Sequence, residues 1–414
     1  MRTDFTRPRR LMAAAALLAL GLRLAFALGY WMEKPLTHDE REYLALAQSV
    51  AAGRGFVYDP SHQTGTAQQF GRAPIYPLFL AVIGAGSGAH DAAPPRVKIA
   101  QSVIGAIGVY VIGLIAIRAA GGRAGAIAAW IAAIYPPLVW IPAYVLSEAL
   151  YSTLALTTVL LLDMAVEHAD DAGTGRAGGA LALMAGLMAG IAVLTRPAML
   201  FFLPLAAIWL VRRRRAVLAV ALVAAAAAVM APWTARNVRQ HGRFVLVASE
   251  GGVTFWTGNH PLAIGEGDLA ANPAIKRAEI AFRASHPNLS AEELEPLYYR
   301  AALREIAESP GWWLALLVKK AFYSVVPIGP SYTLHSTKYF AASLASYLLL
   351  LPFAAVGAPA LFRGRTSPTA LLLLAASAFV VCLIFFPQER FRIPVIDPTL
   401  IVAAAVAVAR PRNV

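Results

Sequence analysis

The chain has 414 residues, 58% of them hydrophobic and only 14% charged, with a mean hydropathy of +0.60, and so little polar material could not cover the surface of a soluble globule. The formal net charge is +13, but the arginines fall in short clusters between apolar runs and no basic patch is interleaved with stacking aromatics, which argues against nucleic-acid binding and for loops that orient a membrane protein. The single cysteine, Cys382, lies inside an apolar run, so an intramolecular disulfide, a CxxC redox site and structural zinc are excluded.

Apolar runs of about 15 to 22 residues, with the arginine clusters placed inside, predict ten membrane spans. Span one is Leu11–Met32; Ala25-Phe26-Ala27 resembles a signal-cleavage site, but the apolar stretch continues past it and is long enough to cross. An external stretch, Glu33–Arg96, follows. In it Thr37-His38-Asp39-Glu40 opens a helix that Gly53-Arg54-Gly55 closes, with Tyr43, Leu46, Ala47 and Val50 on one face, the pattern of a helix lying on the membrane surface. Pro74–Gly84 is apolar but too short to span and reads as re-entrant or interfacial.

Spans two to four are Val97–Ile117, Ala124–Ile141 and Leu146–Val166. Gly179–Val211 has basic flanks at both ends and must cross an even number of times; Arg196-Pro197 breaks it into a hairpin turning at the outer surface. Span seven, Ala216–Pro232, leads to a second external region, Trp233–Lys338. Its β-prone run Phe244–Val247, Gly251-Gly252 and the turn cluster Thr257–Pro261 predict a short hairpin-like excursion. The capping box Ser290–Glu293 starts a helix that ends at Pro310, whose stripe Leu294, Leu297, Tyr298 and Ala301 suits packing on the membrane or on the first external region. Trp312–Val326, interrupted by Lys319 and Lys320, reads as interfacial, because an eleventh crossing would put the later arginines outside. Spans eight to ten are Tyr339–Leu361, Pro368–Phe386 and Ile393–Ala409, with Arg363, Arg365, Arg410 and Arg412 inside and Gln388–Arg392 outside.

Of the 23 acidic residues, all but Asp4, Asp163, Glu167, Asp170 and Asp171 then fall on the outer side. The chain reads as an all-α polytopic integral membrane protein in three parts: 1–232, 233–338 and 339–414. The inner loops are too short for a nucleotide-binding domain and no GxxxxGK[ST] occurs, which disfavours ATP-driven transport by this chain.

Several phrases resemble one family. His38-Asp39-Glu40 with Tyr43, Ala47 and Gly53-Arg54-Gly55-Phe56 resembles the acidic first-loop motif of GT-C membrane glycosyltransferases of the protein O-mannosyltransferase and aminoarabinose-transferase kind. Ala73–Leu80, Leu194-Thr195-Arg196-Pro197, Pro232–Asn237, Gly258-Asn259 and Glu389–Pro394 come in the family's order across almost the whole chain. One departure is Arg72-Ala73-Pro74, where the family often has two prolines after the basic residue. The resemblance implies an inverting sugar transferase with a polyprenyl-phosphate sugar donor, an envelope glycan, lipid or protein acceptor, and an active site on the extracytoplasmic face of the inner membrane. It puts an acidic first-loop residue, Asp39, at the catalytic centre.

Transfer of a sugar to a hydroxyl needs a base and cations that stabilise the departing phosphate. Asp39 is the candidate base, although a carboxylate there also favours the helix dipole. Glu40, the second catalytic candidate, equally completes a capping box with Thr37. Arg72, Arg196, Arg236 and Arg390 are the candidate phosphate-binding cations, each otherwise an arginine snorkelling to lipid headgroups. Glu148 and Glu389 complete the candidate substrate contacts, Glu148 also being placed to cap span four. Arg23, inside span one, is an intramembrane charge near enough to the outer surface to snorkel. No HxxxH or HExxH spacing marks a metal site around His38, His241 or His260; no cofactor is required, and a divalent cation is left open. Transport or lipid flipping is the competing class, but no internal repeat supports it; a non-catalytic envelope scaffold would leave Asp39 and the arginines without a purpose.

Overall fold

The structure, a computed structural model, describes residues 6–57, 71–87, 91–170, 175–267, 271–328, 337–363 and 368–409. Asp4, Asp171, Arg365, Arg410 and Arg412, read from the sequence as inner-face charges, lie outside the described residues. In chain order the α-helices are α1 (Thr6–Leu24, continued by a π-helical turn Ala25–Tyr30), α2 (His38–Ala51), α3 (Ile75–Val82), α4 (Pro95–Ile134), α5 (Pro136–Trp140), α6 (Glu148–Asp170), α7 (Gly175–Thr195), α8 (Phe202–Arg212), α9 (Ala216–His241), α10 (Gly251–Gly258), α11 (Pro273–Ala284), α12 (Ala291–Glu308), α13 (Pro310–Val325), α14 (Thr337–Arg363), α15 (Thr369–Ile384), α16 (Glu389–Arg392) and α17 (Ile396–Ala409).

Among the described residues six helices are long and apolar enough to cross a membrane: α1, α4, α6, α7, α9 and α14. Three shorter apolar helices, Pro197–Arg212, α15 and α17, accompany them. The 40 residues of α4 are two antiparallel arms. Ala120 (φ −154°) and Gly121 (φ 82°) leave the helical region, and a side chain on Gly113 would sit 3.1 Å from the Gly125 carbonyl. In a continuous helix those two residues would stand about 18 Å apart. Gly121 makes the reversal because its positive φ is costly for any residue with a Cβ. With the two arms of α4 taken apart and the three shorter helices included, the described residues make ten apolar passes of the bundle, the number the hydropathy pattern predicts.

Lipid offers apolar segments no hydrophobic gain from packing on one another, so close approach through small residues holds such helices together. Gly190 on α7 faces the Ala226 carbonyl of α9, 2.9 Å from where a Cβ would lie. The main core is rich in fully buried alanines from α1, α4, α6, α7, α9 and α17. The last helix packs against α14 and α4, and α15 against α6 and α8.

With ten passes, the segments after the first, third, fifth, seventh and ninth all emerge at one end of the bundle. The first of these carries α2 and α3, which pack on each other over a small core of Tyr43, Leu44, Ala47, Tyr76, Leu80 and Val145. Pro74 and Pro94 stand just ahead of α3 and α4, and Gly53 and Gly55, both at positive φ, close the end of α2. The predicted hairpin at Phe244–Val247 does not form; among the described residues the sole β-bridge is Pro35 with Ala92. Instead, the carbonyls of Val245, Leu246 and Val247 accept hydrogen bonds from Asn237 Nδ2 (3.1 Å), Thr234 Oγ1 (2.9 Å) and Trp233 Nε1 (2.7 Å). The side chains at the end of α9 take the place of a partner strand, and Gly251-Gly252 begins α10 rather than a turn.

The stripe on α12 packs within the second external region itself. Leu294, Tyr298 and Ala302 bury against Trp256 of α10 and Ile275 of α11. The segment read as interfacial is α13, which is absent from the span-length apolar helices. Its Lys320 is fully buried, donating to Asn259 Oδ1 (2.9 Å) and the Leu383 carbonyl (3.1 Å).

Gly125→Val should lower the detergent-solubilised protein's stability by about 2 kcal/mol through overpacking of the hairpin, seen as a drop in Tm. Gly179→Ala, where nothing lies within 4 Å of a new Cβ, should leave Tm unchanged or slightly higher.

Candidate functional site

Asp39 and Glu40 are the second and third residues of α2, and the helix turns them in opposite directions. Glu40 is buried. Its Oε2 accepts the Thr37 N–H (2.8 Å), completing the capping box, and its Oε1 accepts the Val145 N–H (2.7 Å) ahead of α6. Both oxygens thus serve backbone groups. Asp39 turns the other way, with Glu42 one turn later on its side of the helix.

Arg72 lies at the centre of the charged cluster around Asp39. Its guanidinium donates to Asp39 Oδ1 (3.0 Å) and through Nε to Glu42 Oε2 (3.0 Å), pairs with Glu250 Oε2 (3.2 Å), and stacks over the Tyr43 ring (5.2 Å to its centre). The backbone beside it is clasped by the second external region: Gly71 N–H donates to Ser249 Oγ (2.8 Å) and Ser249 N–H to the Gly71 carbonyl (3.1 Å). Ser249 Oγ in turn donates to Glu292 Oε1 (3.1 Å).

On the other side of Asp39, Arg390 Nη2 pairs with Oδ2 (2.6 Å), and Arg390 Nε donates to Gln388 Oε1 (2.9 Å). Glu148, first residue of α6 and 1% exposed, has its Oε1 2.6 Å from Arg196 Nη1 and 3.9 Å from Arg390 Nε. Arg196 occupies the break after α7, at φ −145°. The Phe391 ring carries both cations, with Arg196 4.8 Å and Arg390 5.4 Å from its centre. Next to it, Arg392 is buried and paired with the fully buried Asp397 (2.8 Å) and stacked on Tyr347 (4.5 Å), which roots α16 in the bundle.

The result is one continuous chain of ion pairs, Glu250, Arg72, Asp39, Arg390, Glu148, Arg196, with Glu42 branching from Arg72. Burial raises the Asp39 carboxyl, but the opposing charges of Arg390 and then Arg72 outweigh it and hold the group well below the usual carboxylate range. Glu42 goes down as well, burial being overcome by Arg72 and His38. Glu250 goes up, because there burial outweighs Arg72.

Of the residues predicted from the sequence, Asp39, Arg72, Glu148, Arg196 and Arg390 meet here. Arg236 does not: it stacks on Trp233 (4.8 Å) and Phe56 (5.8 Å) and donates to Asn237 Oδ1 (3.1 Å). Glu389 faces away from Arg390 and accepts from Ser343 Oγ (2.8 Å). Arg23 does not snorkel. It is 1% exposed, donates to the Ala19 carbonyl (3.1 Å), and lines a cavity of about 20 Å³ with Glu148, Ser152 and Pro394. Glu42 and Glu250 join the site without having been predicted. The i, i+3 spacing of Asp39 and Glu42, and His38 at i, i+4 from Glu42 (3.3 Å), could have signalled the first; nothing local signals Glu250.

Among the described residues no group of three or more His, Cys, Asp or Glu side chains is placed to hold a metal ion. The carboxylates that come nearest, Asp39, Glu42 and Glu250, converge on a guanidinium, so the donor set does not fit a divalent cation in this arrangement.

Arg72→Met should cost about 3 kcal/mol, because it leaves buried carboxylates without their cation. Glu42→Gln and Glu250→Gln should differ in sign. The depressed Glu42 contributes stability above the ordinary carboxylate range that is lost as pH falls, so near neutral pH its loss lowers Tm. The raised Glu250 is destabilising when ionised, so Glu250→Gln should hold or raise Tm, and both differences should shrink on acidification. Thermal unfolding across pH checks this.

No protein-family model matches the chain, and no curated protein matches it in sequence. Solved structures do. The apo oligosaccharyltransferase of Archaeoglobus fulgidus superposes with a TM-score of 0.60 at 17% identity, over 98% of this chain and 50% of that one. The same organism's oligosaccharyltransferase AglB, in complex with an inhibitory peptide and a dolichol-phosphate, gives 0.57 at 14% identity, over 99% and 50%. ArnT from Cupriavidus metallidurans bound to undecaprenyl phosphate gives 0.45 at 17% identity over 97% and 77%, too low to carry an argument. The chain spans about half the length of the oligosaccharyltransferases it matches. Over that half the fold of this chain, an integral membrane protein by its apolar helices, is that of the archaeal oligosaccharyltransferase.

Proposed function

We propose that this protein is a glycosyltransferase that moves a sugar from a polyprenyl-phosphate carrier to a hydroxyl of an envelope lipid, glycan or protein, at the extracytoplasmic face of the inner membrane. The observation that carries the reading is the convergence of Asp39 with Arg72, Arg390, Arg196 and Glu148, drawn from separate loops, at one end of an apolar bundle. The GT-C fold supports it, as does the dolichol-phosphate held by one protein of that fold. The distribution of acidic residues and arginine clusters along the sequence supports the orientation.

In this reading an acceptor hydroxyl gives its proton to Asp39 as its oxygen bonds to the anomeric carbon. The bond from that carbon to the carrier phosphate breaks, and its electron pair leaves with the phosphate. Arg196 and Arg390, side by side on Phe391, neutralise the phosphate with forked hydrogen bonds. A single displacement of this kind inverts the sugar. Arg72 orients Asp39, Glu148 holds the two phosphate-binding cations, and Glu40 fixes the start of α2. Arg236 and Glu389 stand off the cluster and are assigned no step, and none is routed through a metal.

Native mass spectrometry of the purified protein should find a retained polyprenyl-phosphate sugar. Asp39→Asn should lower transfer roughly 10²- to 10⁴-fold without loss of membrane insertion, and full activity would discard the assignment. Arg390→Ala should lower transfer by about 10²-fold or more, whereas Arg236→Ala should change it by less than about threefold, as expected for a residue outside the catalytic cluster.

A further inference from the structure

The proposed chemistry asks Asp39 to accept a proton, yet the structure commits both of its oxygens to guanidinium groups, Oδ1 to Arg72 at 3.0 Å and Oδ2 to Arg390 at 2.6 Å. A carboxylate held between two cations is a weak base. One of the two must let go before the reaction, and they are not equivalent. Arg72 is 16% exposed, lies on Tyr43, and also serves Glu42 and Glu250; releasing it would strand Glu250 and leave Glu42 to His38. Arg390 is 33% exposed. Besides Asp39, among the described residues it holds only the neutral amide oxygen of Gln388, with Glu148 at 3.9 Å, beyond hydrogen-bond reach. It projects from the four-residue α16 and shares the Phe391 ring with Arg196.

We propose that the phosphate of the arriving carrier takes Arg390 from Asp39, so that loading the donor is the event that frees Asp39 to act as the base. The inference rests on the transfer reading above and adds an order to it. A phosphate offers a guanidinium two parallel acceptors, and Arg196 stands beside it to share the charge. Asp39 keeps Arg72 and so keeps its place. The charged groups facing it are then His38 and Glu42 on its own helix, Arg72 ahead of α3, Glu250 ahead of α10 bound through that arginine, and, across the site, Glu148 and Arg196. With Arg390 turned to the phosphate, the one cation left on Asp39 is divided among three carboxylates, and the carboxylate's proton affinity rises. Without a donor no acceptor is deprotonated.

The test reads the protonation of Asp39 directly. The full-length protein in lipid nanodiscs is treated with a carbodiimide and an amine, which modify protonated carboxyls, over a range of pH, and modification at Asp39 is followed by peptide mass spectrometry. The probe is farnesyl phosphate, its binding followed separately by calorimetry. The midpoint of labelling against pH is the readout, because a change in access alters the plateau and leaves the midpoint in place. Saturating farnesyl phosphate should move the midpoint upward by a unit or more, a tenfold or greater rise in labelling at a fixed pH above it, and farnesol should not. Arg390→Gln should show the raised midpoint without any lipid and no further shift with it. The inference is overturned if farnesyl phosphate binds and the midpoint stays, if farnesol moves it equally, or if Arg390→Gln titrates as wild type. In those cases an inactive Asp39→Asn variant would still uphold the transfer reading. Failure of farnesyl phosphate to bind would instead bring down the lipid-donor reading and this inference with it.

Discussion

A guanidinium or carboxylate taken out of water is costly unless an opposite charge and good hydrogen bonds replace the lost hydration. At the loop-bearing end of this bundle Arg72, Arg196 and Arg390 are partly withdrawn from solvent, and the carboxylates that compensate them come from distant parts of the chain. Arg72 takes Asp39 and Glu42 from the first loop and Glu250 from the second, which arrives 178 residues later together with the clasp between Gly71 and Ser249. The second external region therefore meets the first at Arg72 and at that backbone clasp. Every other feature of the site depends on that requirement being met.

The surroundings use buried polar side chains in a consistent way, to satisfy backbone groups where helices stop. Lys98 donates to the carbonyls of Trp31 (2.5 Å) and Met32 at the end of the first pass, and Gln101 to those of Pro142 (3.1 Å) and Tyr144 (2.6 Å). Glu40 accepts from Thr37 and Val145. The segment 142–145 is thereby pinned between α2 and α4, which sets where Glu148 begins its helix. Arg392 and Asp397 do the same for α16. A site whose loops are fixed by buried polar contacts can hold its charges in place before a ligand arrives, the preorganisation on which electrostatic catalysis depends.

The same arrangement carries a tension. A base must be able to accept a proton, and a carboxylate inside an arginine network resists doing so. The geometry resolves this through inequality: one arginine of the pair has three carboxylates and little exposure, and the other has one close carboxylate and more exposure. On the inference drawn above, an anionic ligand would compete for the second more easily than for the first.

Much of this was legible in the sequence, because membrane insertion constrains composition locally. Span length, arginine placement and breaks such as Arg196-Pro197 are properties of contiguous residues, and they determined the all-α class, the number of passes and the interfacial reading of α13. The capping box at Thr37 and Glu40 was equally local. Asp39, Arg196 and Arg390 could be named because their motifs resemble those of one family, and Arg72 and Glu148 because the predicted topology puts them at the outer surface. What the sequence could not decide was which of them touch. Arg236 and Glu389 satisfy the same local criteria as Arg196 and Arg390, but helix rotation turns one onto Trp233 and the other toward Ser343. The β-prone run before Glu250 found its backbone partners on the end of α9 instead of in a second strand, since side-chain donors there outcompete a hairpin. Glu250 and Glu42 joined the site only through Arg72. Composition fixes where a chain must lie relative to water, but ion pairing depends on distances of a few ångströms between loops far apart in sequence, and those are set only when the helices pack.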